Sequence, residues 1–333
     1  MEPAVPALDE VWFTRCPVPT ATGIAADRGT LAAEFAADGI AVRSFQDNRG
    51  GTNDERHFTH AHPALFREGG NVPALWARSR GGATRLIGLT WIEERQSIVV
   101  RAGSSISDPA HLRGLRLAVP RHDLSIDFWR AMALRGLSGA LGIAGLTLAD
   151  AVPVDIPAGG PGQWETELRA LADGRVDAVY VKGAVAVEAA ARHGLVTGID
   201  LDGYTDPRTR INNGTPRPVT VAQSLLDEHP DIVDRFLAVL IDSADWAATN
   251  PDGVSRILAT ETGSGPAGVA GAYQQHGTLH LNLSPERLDL LADQERFLRS
   301  HGFLPSAVDV AAWADHEPLR RAHELVARRS LEN

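Results

Sequence analysis

The chain has 333 residues, 44% of them hydrophobic, enough apolar material for one large or two ordinary domains. Its 32 Lys and Arg against 42 Asp and Glu leave a formal charge of −10, the wrong sign for gripping nucleic acid or an anionic membrane surface. A single cysteine, Cys16, rules out an internal disulfide, and apolar stretches such as LRLAVP and VDAVYV fall far short of the roughly 20 residues that span a bilayer.

The opening MEPAVPALDEVWFTRC carries acidic residues and two prolines but no basic segment followed by an apolar run. The expectation is a cytoplasmic protein without a secretory leader. Glu10 to Arg15 alternates Val11 and Phe13 with other residues, a strand signal that ends at Cys16, because Pro17 forces the preceding residue toward extended geometry. From Gly23 to Ala37 the alanines, Leu31 and Phe35 fall at helical spacing; Asp38-Gly39 stops the run and IAVRSF resumes as strand. This is a β-α-β unit.

Asp47 to Arg56 (DNRGGTNDER) is polar, aperiodic and glycine-containing, and reads as a mobile loop feeding into HFTHAHPALFREGG. The alternation then repeats: LRLAVP (115–120) as strand, Ser125 to Leu141 as helix, DAVPVDI as strand, Glu165 to Asp173 as helix and VDAVYV as strand. Strands alternating with helices predict a parallel α/β sheet. Past Val219 helical patterns dominate, with one opening at Pro251 behind Asn250 as its cap, and others over Leu288 to His301 and Ala307 to Arg329. There is no fixed-period repeat. The reading is two α/β lobes plus helices.

In an open parallel sheet, ligands bind outside the carboxyl ends of the strands, which is where Cys16 falls. A lone cysteine is otherwise a small buried hydrophobe. Chemical use of a thiol requires a neighbour that sets its protonation, and His57, His60, His62 and Arg67 stand close in sequence. Arg67 precedes Gly69 and Gly70, whose backbone N–H groups are open to an anion, and its planar fork fits a carboxylate, phosphate or sulfinate; a plain surface charge is the alternative.

The three histidines with Cys16 also have ligand types suited to zinc, but their spacing lacks a C-x-x-C or H-E-x-x-H signature, so no metal is expected. His276 and His280 read as polar surface residues, and GGPGQW (Gly159 to Trp164) as a turn. No phosphate-binding loop, dinucleotide fingerprint or serine-hydrolase elbow is present. Of the seven tryptophans, Trp129 is the one considered as a wall of a substrate pocket, the rest reading as core.

These residues resemble the aromatic sulfinate desulfinases of biodesulfurisation, nearly end to end. The likeness is densest in CPVP (Cys16 to Pro19), HFT (His57 to Thr59) followed by FREGG (Phe66 to Gly70), and TRLIGLT (Thr84 to Thr90). Weaker echoes are RQSIVVR from Arg95, DGRVDAVY from Asp173, and Trp246-Ala247. The segment before His57 is longer than in that family, and the positions of His60 and His62 carry other side chains there.

The resemblance implies a two-lobed fold like that of periplasmic solute-binding proteins, with parallel or mixed sheets and a cleft between the lobes. Residues 1–100 plus 213–333 would form the first lobe and 101–212 the second. By motif, the family's catalytic cysteine falls on Cys16, its loop histidine on His57, its sulfinate-binding arginine on Arg67 and the assisting glycine amide on Gly70. The implied activity is cofactor-independent hydrolysis of an aromatic sulfinate to sulfite by a monomer, with no nucleic-acid or membrane partner. Ligand binding would order the 47–66 segment. The rival is a binding protein for a sulfonate-type anion on the same scaffold, since fold does not prove function.

Overall fold

The computed structural model describes residues 8–14, 16–47, 55–159, 164–273 and 279–332, without the side chains of Glu55 and His57. Residues 48–54 of the expected loop, 160–163 of the expected GGPGQW turn, and His276 lie outside the described residues. The strands in chain order are β1 (Glu10–Thr14), β2 (Ala41–Ser44), β3 (Leu65–Glu68), β4 (Thr84–Thr90), β5 (Gln96–Arg101), β6 (Arg116–Arg121), β7 (Val152–Pro157), β8 (Val179–Lys182), β9 (Leu195–Asp200) and β10 (Arg217–Ala222). No helix among the described residues is long and apolar enough to cross a membrane.

The chain divides into two compact units. The first comprises Met1–Ile92, Pro216–Ile257 and Gly277–Asn333; the second comprises Glu93–Thr215 and Leu258–His276. The main boundaries of these units lie at 92/93 and 215/216, where 100/101 and 212/213 were expected. β5 pairs antiparallel with β8 and β9 and so lies in the second unit. Residues 258–276 join it there, with the Gly265 amide donating to the Glu188 carboxylate at 2.7 Å.

The first unit is built on a five-stranded sheet in the order β2-β1-β3-β10-β4. β1 is parallel to β2 and β3, as the β-α-β pattern predicts. β10 runs antiparallel to both β3 and β4, so the sheet is mixed rather than parallel throughout. The difference is topological: β10 returns from more than a hundred residues away, beyond the reach of local alternation. The single helix expected over 23–37 is two, α1 (Ala21–Asp27) and α2 (Thr30–Ala36). Gly29 at φ 70 breaks the run, a left-handed conformation that glycine adopts without steric cost. Thr20 caps α1 by accepting from the Gly23 amide at 3.0 Å.

The helix Pro230–Thr249 buries Ile232, Val233, Phe236, Leu237, Leu240, Ile241 and Ala244, a stripe at three- and four-residue spacing. Phe236 stacks on Phe66 of β3 with ring centroids 3.8 Å apart. Side chains alternate along a strand, so Phe66 and Glu68 face this helix layer while Leu65 and Arg67 face the other way. Asn250 closes this helix, its Nδ2 donating to the Trp246 carbonyl at 2.8 Å, and the next begins at Pro251. The last expected helix is also two, Val310–Trp313 and Glu317–Glu332.

The second unit has an antiparallel sheet, β8-β5-β9, and a parallel pair, β6-β7. α5 (Phe128–Ile143) starts three residues later than expected, because Asp127 accepts from the Arg130 amide at 2.9 Å and caps it there. Lys182 pairs with Glu94 in the interior, and the Tyr273 hydroxyl donates to the same carboxylate at 3.3 Å.

Candidate active site

Past β1 the chain passes through Cys16-Pro17-Val18-Pro19 to the cap of α1. Two residues without N–H groups end the ladder there, and the Val18 amide turns back to the Cys16 carbonyl at 2.7 Å. Cys16 is half-buried, and its thiol donates to the Glu68 carbonyl at 3.6 Å. The expectation that Cys16 stands at the carboxyl end of a strand is met, and β3, the neighbouring strand, delivers Arg67 and Glu68 to the same end of the sheet.

Arg67 is 1% exposed. Its Nη1 donates to the Gly70 carbonyl at 3.0 Å, which folds the side chain back over the intervening glycine. A Cβ built on Gly69 would stand 2.6 Å from Cζ and 2.7 Å from both Nη atoms. The guanidinium therefore occupies the space that any other residue at 69 would fill. Burial lowers the Arg67 pKa to about 10, Cys16 works against that shift, and a second arginine, Arg217, adds to it. At neutral pH the guanidinium is a cation with little water around it, so its attraction for an anion is weakly screened. Gly70 leads directly into α4 (Asn71–Ser79).

Glu68, also 1% exposed, points to the opposite face. It accepts from the Thr22 amide at 3.0 Å, the Thr22 hydroxyl at 2.6 Å and the Thr90 hydroxyl at 3.2 Å. Burial raises its pKa against those bonds. Glu68 thus ties α1, and with it the segment carrying Cys16, to β3.

The HFTHAH segment is not wholly loop. Residues Glu55–Thr59 form α3, so His57 sits on a helix, its side chain outside the described residues. His60 terminates that helix at φ 54, an uncommon conformation for a residue with a Cβ. Its ring is buried, with Nε2 3.1 Å from the Leu65 carbonyl and Nδ1 3.2 Å from the Thr220 hydroxyl. A carbonyl accepts only, so Nε2 carries the proton, and Nδ1 accepts from Thr220. Burial, reinforced by Arg67, drives its pKa down to about 3, so the ring is neutral. His62 Nδ1 accepts from the Ala64 amide at 3.2 Å, with its ring centroid 5.5 Å from Trp12 and 5.9 Å from Phe45. Both histidines are packed into the structure, and no group of three or more His, Cys, Asp or Glu gathers as metal ligands among the described residues.

Trp129 lies in the second unit, in the first turn of α5, edge-on to Trp164 at 5.6 Å. His280 holds Asp245 at 2.7 Å and is partly exposed. Sequence reasoning passed over Arg217. Its one visible signal is an arginine at the head of the apolar run RPVTVA, all of which is buried.

Cys16, the Arg67 guanidinium, Gly69 and Gly70 are thus brought together at one end of the sheet. No family model matches the chain. Among curated proteins it is 29% identical over 358 aligned positions to 2'-hydroxybiphenyl-2-sulfinate desulfinase of Rhodococcus erythropolis, covering 94% of this chain and 93% of that one. The desulfinase of Rhodococcus qingshengii gives the same figures. Among solved structures, a cysteine-to-serine variant of the desulfurization enzyme DszB, in complex with biphenyl-2-sulfinic acid, superposes with a TM-score of 0.74 at 26% identity, over 96% of this chain and all (100%) of that one. The Escherichia coli periplasmic aliphatic sulphonate binding protein SsuA gives 0.72 at 16% identity, over 93% of each chain, a likeness of fold alone. The chain is similar in sequence and structure to the 2'-hydroxybiphenyl-2-sulfinate desulfinases, and its α/β fold is that of the periplasmic sulfonate-binding proteins.

Proposed function

We propose that this protein hydrolyses the carbon–sulfur bond of an aromatic sulfinate, 2'-hydroxybiphenyl-2-sulfinate or a close analogue, without a cofactor. The observation that carries this reading is Cys16 and the buried Arg67 at one sheet end, the arginine folded over Gly69 onto Gly70. The balanced reaction is Ar–SO2⁻ + H2O → Ar–H + HSO3⁻: the C–S bond breaks, a C–H bond and an S–O bond form, and no electrons are exchanged with a third species.

In this reading Arg67 and the Gly70 amide hold the sulfinate oxygens, and His57 on α3 orients or polarises the group. Cys16 is the catalytic residue at the reacting atoms. Its sulfur lies 3.6 Å from the Glu68 carbonyl, an acceptor that a thiol satisfies and a thiolate does not. That contact favours proton donation: the thiol protonates the ring carbon, the C–S bond breaks to release SO2, and water adds to SO2 to give HSO3⁻ and the proton that restores the thiol. The alternative, thiolate attack on sulfur, has the same stoichiometry but passes through a covalent enzyme–sulfur adduct.

The sulfonate-binding fold supports a second reading, capture of a sulfonate or sulfinate anion without chemistry. A catalytic thiol has no part in that function. A cytoplasmic location and action as a monomer accompany the desulfinase reading. The test is to incubate the purified protein with 2'-hydroxybiphenyl-2-sulfinate in chelator-containing buffer and to quantify sulfite and 2-hydroxybiphenyl together. Equimolar release supports desulfination; tight binding with neither product supports the binding-protein reading instead.

A further inference from the structure

The first unit holds another buried cation that the chemistry above leaves unused. Arg217 opens β10 and is 4% exposed, and its Nε and Nη1 have no hydrogen-bond partner among the described residues. The register fixes its position: Arg217 stands opposite Thr90, and Val219, two residues on, stands opposite both Gly88 and Glu68. Arg217, Thr90 and Glu68 therefore share one face of the sheet, at the end where Cys16 and Arg67 lie. Its charge is felt by both neighbours, opposing protonation of Arg67 and favouring the carboxylate of Glu68.

Burying a guanidinium without hydrogen bonds is costly. Glu68 does not offset that cost directly. Its oxygens are taken by Thr22 and Thr90, and among the described residues it forms no ion pair with Arg217. The buried Nε and Nη1 donors of Arg217 are left without an acceptor among the described residues, and an oxyanion at this sheet end would supply one. On the desulfinase reading given above, we propose that Arg217, which stands on the face opposite Arg67, is a second anion-binding residue at this sheet end, engaging the sulfinate past the strand ends and retaining the sulfite released.

The test reads binding by calorimetry in the full-length Cys16→Ser background, with biphenyl-2-sulfinate and, separately, inorganic sulfite as probes, and reads turnover with Cys16 intact. Arg217→Met is expected to weaken binding of both probes by about 30-fold or more and to raise KM more than it lowers kcat, the scale of removing one buried charged contact. Arg217→Lys keeps the charge but loses the planar donors, with an expected loss of about 3- to 10-fold.

A role limited to balancing Glu68 predicts that the double variant Glu68→Gln/Arg217→Met regains the parent affinity; the proposal predicts that it stays as weak as Arg217→Met. Unchanged affinity in a folded Arg217→Met protein, or recovery in the double variant, overturns the proposal. Should Arg217→Met alone fail to fold by circular dichroism, the double variant and Arg217→Lys decide the same question. Arg217-dependent binding by a parent that releases no sulfite refutes the desulfinase reading and keeps the anion site. Turnover with an Arg217-independent KM does the reverse.

Discussion

His60 makes the stability of the first unit depend on pH in a calculable way. Its ordinary pKa of 6.5 falls to about 3 in the folded chain, through burial first and Arg67 second. A base whose folded pKa is depressed contributes stability above its unfolded value and loses it as the pH falls toward its folded value, because the unfolded chain takes up the proton first. The affected window runs from about pH 6.5 down to about pH 3. At 1.36 kcal/mol per unit the full span is about 5 kcal/mol, of which about 2 kcal/mol is lost between pH 7 and pH 5.

The variant to compare is His60→Asn. Asparagine tolerates the left-handed conformation that His60 adopts at φ 54, and it does not titrate. At pH 7 it should cost about 1 to 3 kcal/mol for the disturbed contacts to Leu65 and Thr220. Buried Glu68 titrates in both proteins, so its opposing contribution cancels in the difference. Urea unfolding at pH 7, 6 and 5 should show the gap between wild type and variant closing by about 2 kcal/mol over that range. Selective ¹³C labelling should show one imidazole remaining neutral throughout. Parallel stability curves, or a His60 signal titrating near pH 6.5, would refute the argument.

Gly69→Ala places a methyl group 2.6 Å from the Arg67 Cζ, so the guanidinium must leave its seat on Gly70. The expected result is a folded protein whose KM for the sulfinate rises about 10-fold or more, on the scale of losing one charged hydrogen bond; an unchanged KM would show that Arg67 does not hold the anion from this position. Amides of 55–66, which span α3 and His60, should gain protection from hydrogen exchange when biphenyl-2-sulfinate binds, and equal exchange with and without ligand would count against ordering of that segment.

Much of the candidate site was legible because its residues sit at ends of elements, where local rules are strongest. Cys16 follows a strand and precedes a proline, and Arg67 follows apolar Leu65 and Phe66 and precedes two glycines; both signals survive without tertiary context. The break at Gly29 was hidden by alanines on both sides, which keep helical spacing across a residue that does not continue the helix. The ligand types of His60 and His62 suit zinc but their spacing does not, and what no local pattern showed is where their rings pack: His60 against the Leu65 carbonyl and Thr220, His62 against the Ala64 amide, Trp12 and Phe45. Arg217 was invisible for a different reason. Its proximity to Glu68 and Arg67 comes from an antiparallel register between strands about 150 residues apart in the chain, which no local pattern encodes.

In the proposed reaction Cys16 acts at the carbon–sulfur bond while Arg67 holds the oxyanion. The measurement that tests it most directly compares wild type with Cys16→Ser for sulfite release from 2'-hydroxybiphenyl-2-sulfinate, with substrate affinity measured on both proteins. The expected result is equimolar sulfite and 2-hydroxybiphenyl from the wild type, and almost no product from a Cys16→Ser protein that still folds and binds, because a hydroxyl is far less acidic and less nucleophilic than a thiol. Full sulfite release by Cys16→Ser would contradict it.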